Sequence, residues 1–303
     1  MKNADITFFS SLASRASQRR RRVAVAAPRD EHTADVVRRC AEERRAAFLL
    51  VADERSTACA ATLRDCYPQL IDVTTVADDV DAATHAVAAV RRGDADVLMK
   101  GSLNTDVLLR AVLNKQGGLL SPGAVMCHVA AAVIPTYSKP LIFSDVAVVP
   151  RPTTEQFDAI VRSCLHVWRA TTGGHAPHVA LTHCTEKQSE KFPHTLSYAE
   201  IIRRADEGRY GDAVVGGPMD VRTACDPQSA RIKGIVSPAA GSADIIIFPN
   251  IEAGNTFYKT ITLFAGAQTA GLLCGTEAPV VVASRADSAL SKYNSLLMAL
   301  ATR

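Results

Sequence analysis

What the chain lacks narrows its class before anything it contains. No apolar run in its 303 residues approaches the ~18 consecutive residues of a membrane-spanning helix, so no membrane partner is expected. The N-terminal segment has no apolar core of a secretory signal. Its Ser/Arg bias resembles a transit peptide only faintly, Asp5 counts against that, and a cytoplasmic protein is the expectation. The eight cysteines (Cys40, Cys59, Cys66, Cys127, Cys164, Cys184, Cys225 and Cys274) are scattered without a C-x-x-C pair and read as reduced thiols. Charge of one sign is also missing. A formal net charge of +3 is too small to imply a nucleic-acid partner, although it suits anionic substrates. Aromatic residues make up only 5%, while Ala and Val dominate, a composition that suits helices layered on sheets. Internal repeats and low-complexity segments are absent from the sequence.

What is present is enough apolar material, 48% of 303 residues, for the cores of two domains. The pattern predicts a short amphipathic helix over 6–22 with a basic end at 19–22. That end reads as a solvated helix C-terminus favoured by the macrodipole, or as a contact for phosphates. A buried strand follows at 23–27 (VAVAA), stopped by Pro28, and then a helix over 30–45 with Ala34, Val37 and Ala41 on one face. Strands at 47–51, 71–76 and 96–99 alternate with helices at 56–66 and 79–92. This alternation argues for a parallel, doubly wound sheet. A Gly/Pro-rich break at 117–123 marks the crossing into a second domain. There the pattern predicts a helix over 125–133 and a strand at 140–143 ending in Ser144-Asp145. A helix over 153–170 follows, opened by a capping box of Thr153 and Gln156. Strands at 179–181, 213–215 and 244–249 alternate with helices at 197–207 and 227–234.

The chemistry-bearing stretch runs from 243 to 292. It reads as strand (244–249), loop (250–255), helix (256–270), strand (279–283, PVVVA), loop, and a helix from about 288. In open α/β sheets ligands sit at the carboxyl ends of strands, and here a strand ends in Ser284-Arg285, a hydroxyl beside a guanidinium, with Asp287 just beyond. Lys100-Gly101-Ser102 ends another strand and is predicted to open a helix. Backbone N–H groups at such a point attract phosphate and the lysine adds charge, although many loops without a ligand read Gly-Ser. Arg110 lies two turns inside that helix, and its plain alternative is a surface arginine. Ser284 lacks a G-x-S-x-G elbow, so a hydrogen-bonding role or a helix N-cap is expected rather than covalent attack. His175, His178, His183 and Cys184 have metal-like spacing, but no second Cys/His pair completes a site and no metal is expected.

Five segments in order carry a family resemblance: MKGSLNTDVLLRAVL (99–113), FSDVAVVPRPTTEQ (143–156), RIKGIVSP (231–238), IEAGNTFYK (251–259) and APVVVASRADS (278–288). On these, the chain from about Val23 to its end resembles the phosphate acetyltransferase/phosphate butyryltransferase family, its butyryl branch most. The resemblance implies two three-layer α/β/α domains with mainly parallel sheets and an interdomain active-site cleft. The first would be discontinuous, 1–121 plus 277–303, and the second would span 122–276. It implies acyl-CoA, inorganic phosphate and acyl phosphate as partners, coenzyme A as substrate with no further cofactor, and a homodimer through the second domain. By the same resemblance Arg110 contacts the phosphoryl group, and Ser284 and Arg285 stand at the reacting centre. Lys100, Gly101, Ser102, Asn104, Glu252, Gly254 and Asn255 would bind substrate.

The chain departs from that pattern in three places. Asn104 stands where the family often has His, so the side chain can hydrogen-bond but cannot carry a proton. The thiol base of the acetyl branch would fall on Ser291 and that of the butyryl branch on Leu290, neither of them an acid, which leaves Asp287 and Glu252 as candidates. The acetyl branch's second phosphate arginine belongs to a segment that this chain lacks before residue 96.

Acyl transfer between CoA and phosphate requires guanidinium groups to clamp the phosphate, loss of a thiol proton, and hydrogen bonds to the oxyanion at the acyl carbon. Arg110 and Arg285 suit the first task and Ser284 the third. No acyl-enzyme nucleophile stands out, so direct transfer in a ternary complex is the expectation. A metal- and nicotinamide-dependent dehydrogenase is the rival enzyme class, and the cluster of acidic ligands on one helix that it needs is not in the sequence. A CoA-binding sensor or scaffold paralogue is the non-enzyme rival, kept open by Asn104 and by Leu290-Ser291.

Overall fold

The chain alternates strand and helix from near its start. A computed structural model describes residues 3–16, 21–283 and 287–303. Its elements begin with α1 (Asn3–Ala16), β1 (Arg21–Ala26), α2 (Glu31–Glu42), β2 (Ala46–Ala52), α3 (Thr57–Cys66), β3 (Ile71–Thr75), α4 (Asp79–Arg91), β4 (Val97–Lys100) and α5 (Thr105–Val112). They continue with β5 (Cys127–Val133), β6 (Leu141–Ser144), α6 (Thr154–Thr172), β7 (His178–Thr182), α7 (His194–Asp206), β8 (Val214–Met219), α8 (Val221–Cys225), α9 (Pro227–Ile232) and β9 (Ile245–Ile247). The last are α10 (Ile251–Phe264), β10 (Gln268–Cys274), β11 (Val280–Val281) and α11 (Ala289–Thr302). The class is α/β with mainly parallel pairing. The chain divides into two compact units, one made of Phe9–Ala124 and Ala270–Arg303, the other of Met1–Phe8 and Val125–Thr269.

In the unit built on Phe9–Ala124, the strands run β3-β2-β1-β4-β11-β10, all parallel except the β11–β10 pair. The chain moves outward from β1 through β2 to β3, then returns to place β4 on the other side of β1. That reversal makes a topological switch point between β1 and β4. The apolar residues of the two strands, 23–26 and 97–99, are fully buried, as in strands covered by helices. Helix α4 packs on β1, β2, β4 and α5, while α2 packs on β2, α3 and α11, and α11 packs on β4 and β11. Asp30 opens α2 by accepting the backbone N–H of Thr33, and Asp78 opens α4 in the same way.

The other unit orders its strands β5-β6-β9-β7-β8, parallel except for β5–β6. The predicted capping box on α6 is present, with Thr153 and Gln156 exchanging hydrogen bonds. Phe143 meets both Phe248 and, on α10, Phe257 edge-on, its ring centred 5.3 Å from that of Phe257, and Phe248 and Phe257 pack tilted on one another.

Five local expectations are corrected. The helix expected over 125–133 is strand β5, buried at all seven positions and antiparallel to β6, because burial on both faces overrides alanine's helix preference. The loop expected at 250–255 is the N-cap and opening of α10, where Asn250 accepts the N–H of Ala253. That helix ends at Phe264, and 268–274, partly assigned to it, is a strand antiparallel to β11. Among the described residues α1 covers Asn3–Ala16, and Arg21 and Arg22 belong to β1 rather than to a helix end; residues 17–20 lie outside the described residues. Lys100-Gly101-Ser102 does not open a helix directly, since α5 begins at Thr105.

Candidate active site

The carboxyl ends of β1 and β4 lie side by side and the chain leaving each is fastened to the other. Gly101 and Ser102 donate their backbone N–H groups to the carbonyls of Ala26 (2.9 Å) and Ala27 (2.8 Å). This approach is possible because residue 101 has no side chain: a Cβ there would lie 2.2 Å from the Ala27 carbonyl oxygen. Lys100 is buried at the end of β4, and its ammonium curls the following loop by donating to the carbonyls of Gly101 (3.1 Å) and Leu103 (3.0 Å).

Asp30 is the hub of this corner. One carboxylate oxygen accepts from the Thr33 N–H (2.9 Å) and the Lys292 ammonium (2.8 Å). The other accepts from the hydroxyls of Thr33 (2.7 Å) and Ser102 (2.7 Å). Burial works against ionisation of this carboxyl, but the bonds from Lys292, Thr33 and Ser102 outweigh it and hold the group well below the usual carboxylate range. Around these groups lies a cavity of about 330 Å³, lined by Asp30, Glu31, His32, Lys100, Gly101, Ser102, Ala283 and Lys292. It occupies the place where open α/β sheets bind ligands.

The structure brings together some of the predicted site residues and separates others. Lys100, Gly101 and Ser102 line the cavity. Ser284 and Arg285 lie outside the described residues, but Ala283 and Lys292, which precede and follow them in the chain, both line it. Asp287 is not among the lining residues and does not cap α11; Ser288 does, accepting the N–H of Ser291 at 3.1 Å. Asn104 is the N-cap of α5 by backbone conformation, without a side-chain capping bond. Arg110 is 83% exposed on α5 with Asp106 at 3.8 Å, outside the cavity lining.

Glu252, Gly254 and Asn255 belong to the other unit, in the first turns of α10. Two of them seat that helix. A Cβ on Gly254 would lie 2.0 Å from the Asp145 carbonyl oxygen, and the Asn255 amide donates to the Val146 carbonyl at 3.0 Å. Asp145 in turn accepts the N–H groups of His128, Ala147 and Val148. Of the histidines read as metal-like, His175 and His178 both lie by Asp244, which accepts the His178 backbone N–H and stands 3.7 Å from the His175 ring, while His183 has other neighbours. His178 pairs with the Ser242 hydroxyl (2.9 Å), His175 meets Trp168 edge-on, and His183 packs on Phe192 and His194. Among the described residues, no three His, Cys, Asp or Glu side chains are grouped to hold a metal ion.

Asp30 and Lys292 were not identified from the sequence. The Asp-x-x-Thr pattern at 30–33 is a readable N-cap signal, but its role as a hub depends on a lysine 262 positions away.

A sequence model of the phosphate acetyl/butaryl transferase family matches residues 69–300. The phosphate butyryltransferase of Clostridium acetobutylicum is 36% identical over 283 residues, 93% of each chain. The phosphate acetyltransferase of Thermotoga maritima is 34% identical over 294 residues, 96% of this chain and 98% of that one. Among solved structures, a branched-chain phosphotransacylase from Enterococcus faecalis V583 superposes with a TM-score of 0.79 at 27% identity, covering 93% of this chain and 98% of the other.

Proposed function

The chain belongs to the phosphate acetyl/butaryl transferase family and is a phosphate acyltransferase, and we propose that it moves a short-chain acyl group between CoA and inorganic phosphate by direct transfer in a ternary complex. One observation carries the reading at the level of the site. The cavity joins Lys100-Gly101-Ser102 to Ala283, which precedes Ser284 in the chain, and to Lys292, seven positions after Arg285. A phosphate oxygen attacks the thioester carbon, a tetrahedral oxyanion forms, and its collapse breaks the C–S bond and releases CoA thiolate, which takes up a proton. In the reverse direction the thiol must first lose that proton.

In this reading Arg285 and Arg110 hold the phosphoryl group, because planar guanidinium forks match its oxygens. Ser284 hydrogen-bonds the oxyanion. Asp30 is a poor proton acceptor, since all four acceptor positions of its carboxylate are taken. Asp287, two positions beyond Arg285, takes the thiol proton, with Glu252 the alternative. Asn104, Glu252, Gly254 and Asn255 complete the substrate contacts. The protein works in the cytoplasm as a homodimer. Leu263 and Phe264, 75% and 81% exposed at the end of α10, supply apolar surface for a second copy. Light scattering should give a mass twice 32.3 kDa.

Purified protein given butyryl-CoA and phosphate should release free thiol and form acyl phosphate, trapped as a hydroxamate. Thiol release that ignores phosphate would mean a hydrolase. Binding of CoA with no turnover of any short acyl-CoA would mean a sensor. The reaction needs no metal: EDTA or His178→Ala should leave the rate nearly unchanged. A loss above about tenfold, which is ~1.4 kcal/mol of barrier, restored by zinc in the EDTA arm would overturn that.

A further inference from the structure

Lys292 is an expensive residue where it stands. It lies in the first turn of α11, the positive end of the helix dipole, where a cation is disfavoured. Its side chain is only 7% exposed, and burying an ammonium is costly unless partners replace the lost water. Among the described residues its ammonium donates one hydrogen bond, to Asp30 at 2.8 Å. An ammonium has three donors, so two remain, and the residue lines the 330 Å³ cavity. Asp30, saturated by Thr33, Ser102 and Lys292, fixes the ammonium in place but offers it no second acceptor. The two lysines of the cavity are buried, whereas Glu31 and His32 are exposed. The cavity therefore presents its positive charge on the inside.

We propose that Lys292 is a further cation that binds the phosphoryl dianion in this cavity, beside the arginines already assigned to it, and that Asp30 is the positioning residue that holds it there. This rests on the acyltransfer reading for the identity of the ligand, which is inorganic phosphate in one direction and the phosphoryl end of acyl phosphate in the other. The plain alternative is a brace that only joins α11 to the start of α2. The two differ in what they do to each substrate. Loss of one charge-assisted contact weakens phosphate binding ~10- to 100-fold, while a broken brace disturbs phosphate and CoA alike.

The test is Lys292→Gln in the full-length protein, with inorganic phosphate titrated by phosphorus NMR in the absence of CoA, and CoA titrated separately by calorimetry. The expected result is phosphate affinity down at least about tenfold, with CoA affinity within about twofold of the unaltered protein. Unchanged phosphate affinity, or equal losses for both ligands, overturns the assignment. If the variant does not fold, the unaltered protein is reductively methylated and Lys292 followed by mass spectrometry. Phosphate should slow its modification and CoA should not; equal rates with and without phosphate overturn the proposal. Binding is read without turnover. A chain that binds phosphate through Lys292 yet forms no acyl phosphate would keep this inference and sink the acyltransfer reading.

Discussion

Gly101 shows how little room the site leaves at the scale of one residue. A Cβ placed 2.2 Å from the Ala27 carbonyl oxygen meets backbone, which cannot swing aside as a side-chain tip can. Gly101→Ala should therefore destabilise the protein by about 1–3 kcal/mol, read by urea unfolding, and lower activity by displacing Ser102 from Asp30. An unchanged unfolding midpoint would show that the loop has more freedom than its two backbone hydrogen bonds suggest. Arg110 is the opposite case. It is 83% exposed and among the described residues its one ion pair is with Asp106, so Arg110→Ala should alter stability by no more than ~0.5 kcal/mol. Any large rise in the phosphate KM of that variant then belongs to ligand binding and not to folding. An Arg110→Ala enzyme with wild-type phosphate KM would remove this residue from the phosphate site. Such residues differ in legibility for a physical reason. Lys100-Gly101-Ser102 announced itself through local composition at a strand end. Asp30 and Lys292 became a pair only through tertiary contact, and neither carries a motif that points to the other.

At the scale of elements, α2 and α11 are joined at a second point, Glu43. This residue ends α2, where a carboxylate is disfavoured by the helix dipole. It is compensated by hydrogen bonds from the Tyr293 hydroxyl (2.6 Å) and from the guanidiniums of Arg39 (2.9 Å) and Arg45 (3.0 Å). Burial raises its pKa, but these bonds outweigh burial and lower it to about 2. A depressed carboxyl contributes stability that is complete above its unfolded pKa and is lost as pH falls through the folded value. Glu43→Gln should thus cost about 1–2 kcal/mol at pH 7, after allowance for solvent screening, and the gap from wild type should close between roughly pH 5 and pH 2. A gap that persists near pH 2 would assign the loss to packing rather than to charge. The same scale shows which elements were readable. Apolar runs such as 23–27 and capping signals such as Thr153/Gln156 gave strands and helix starts in the right places. The segment CHVAAAV did not, because alanine favours helices locally and only burial on both faces makes it a strand. The opening of α10 is not legible locally, because Asn250, Gly254 and Asn255 look like loop residues. In place they cap the helix or bring it against the carbonyls of Asp145 and Val146.

At the scale of the molecule, one unit is finished only when the chain returns to it. Phe9–Ala124 supplies four of its strands, but β11 pairs with β4, and α11 covers both. The Gly/Pro-rich break at 117–123 is the sequence signal for a departure, whereas the return rests on family resemblance, because nothing in PVVVA says which sheet it joins. Helix α11 buries Leu296, Leu297, Met298 and Leu300, each no more than 1% exposed. Burial of a side chain of this kind contributes roughly 1.5–3 kcal/mol, so the four together amount to about 6–12 kcal/mol as an upper bound. The whole net stability of a domain is about 5–15 kcal/mol. A chain ended after Ser288 should therefore lose the folded state of this unit altogether, rather than merely loosen its cavity. The other unit takes no element from 289–303 and should persist. Hydrogen exchange separates these outcomes: in the truncated chain the amides of β1, β2 and β4 should exchange freely, while those of β6, β7 and β9 stay protected. Protection of β1 and β4 without α11 would mean that Phe9–Ala124 folds by itself, and that the returning segment serves the site more than the stability of the unit.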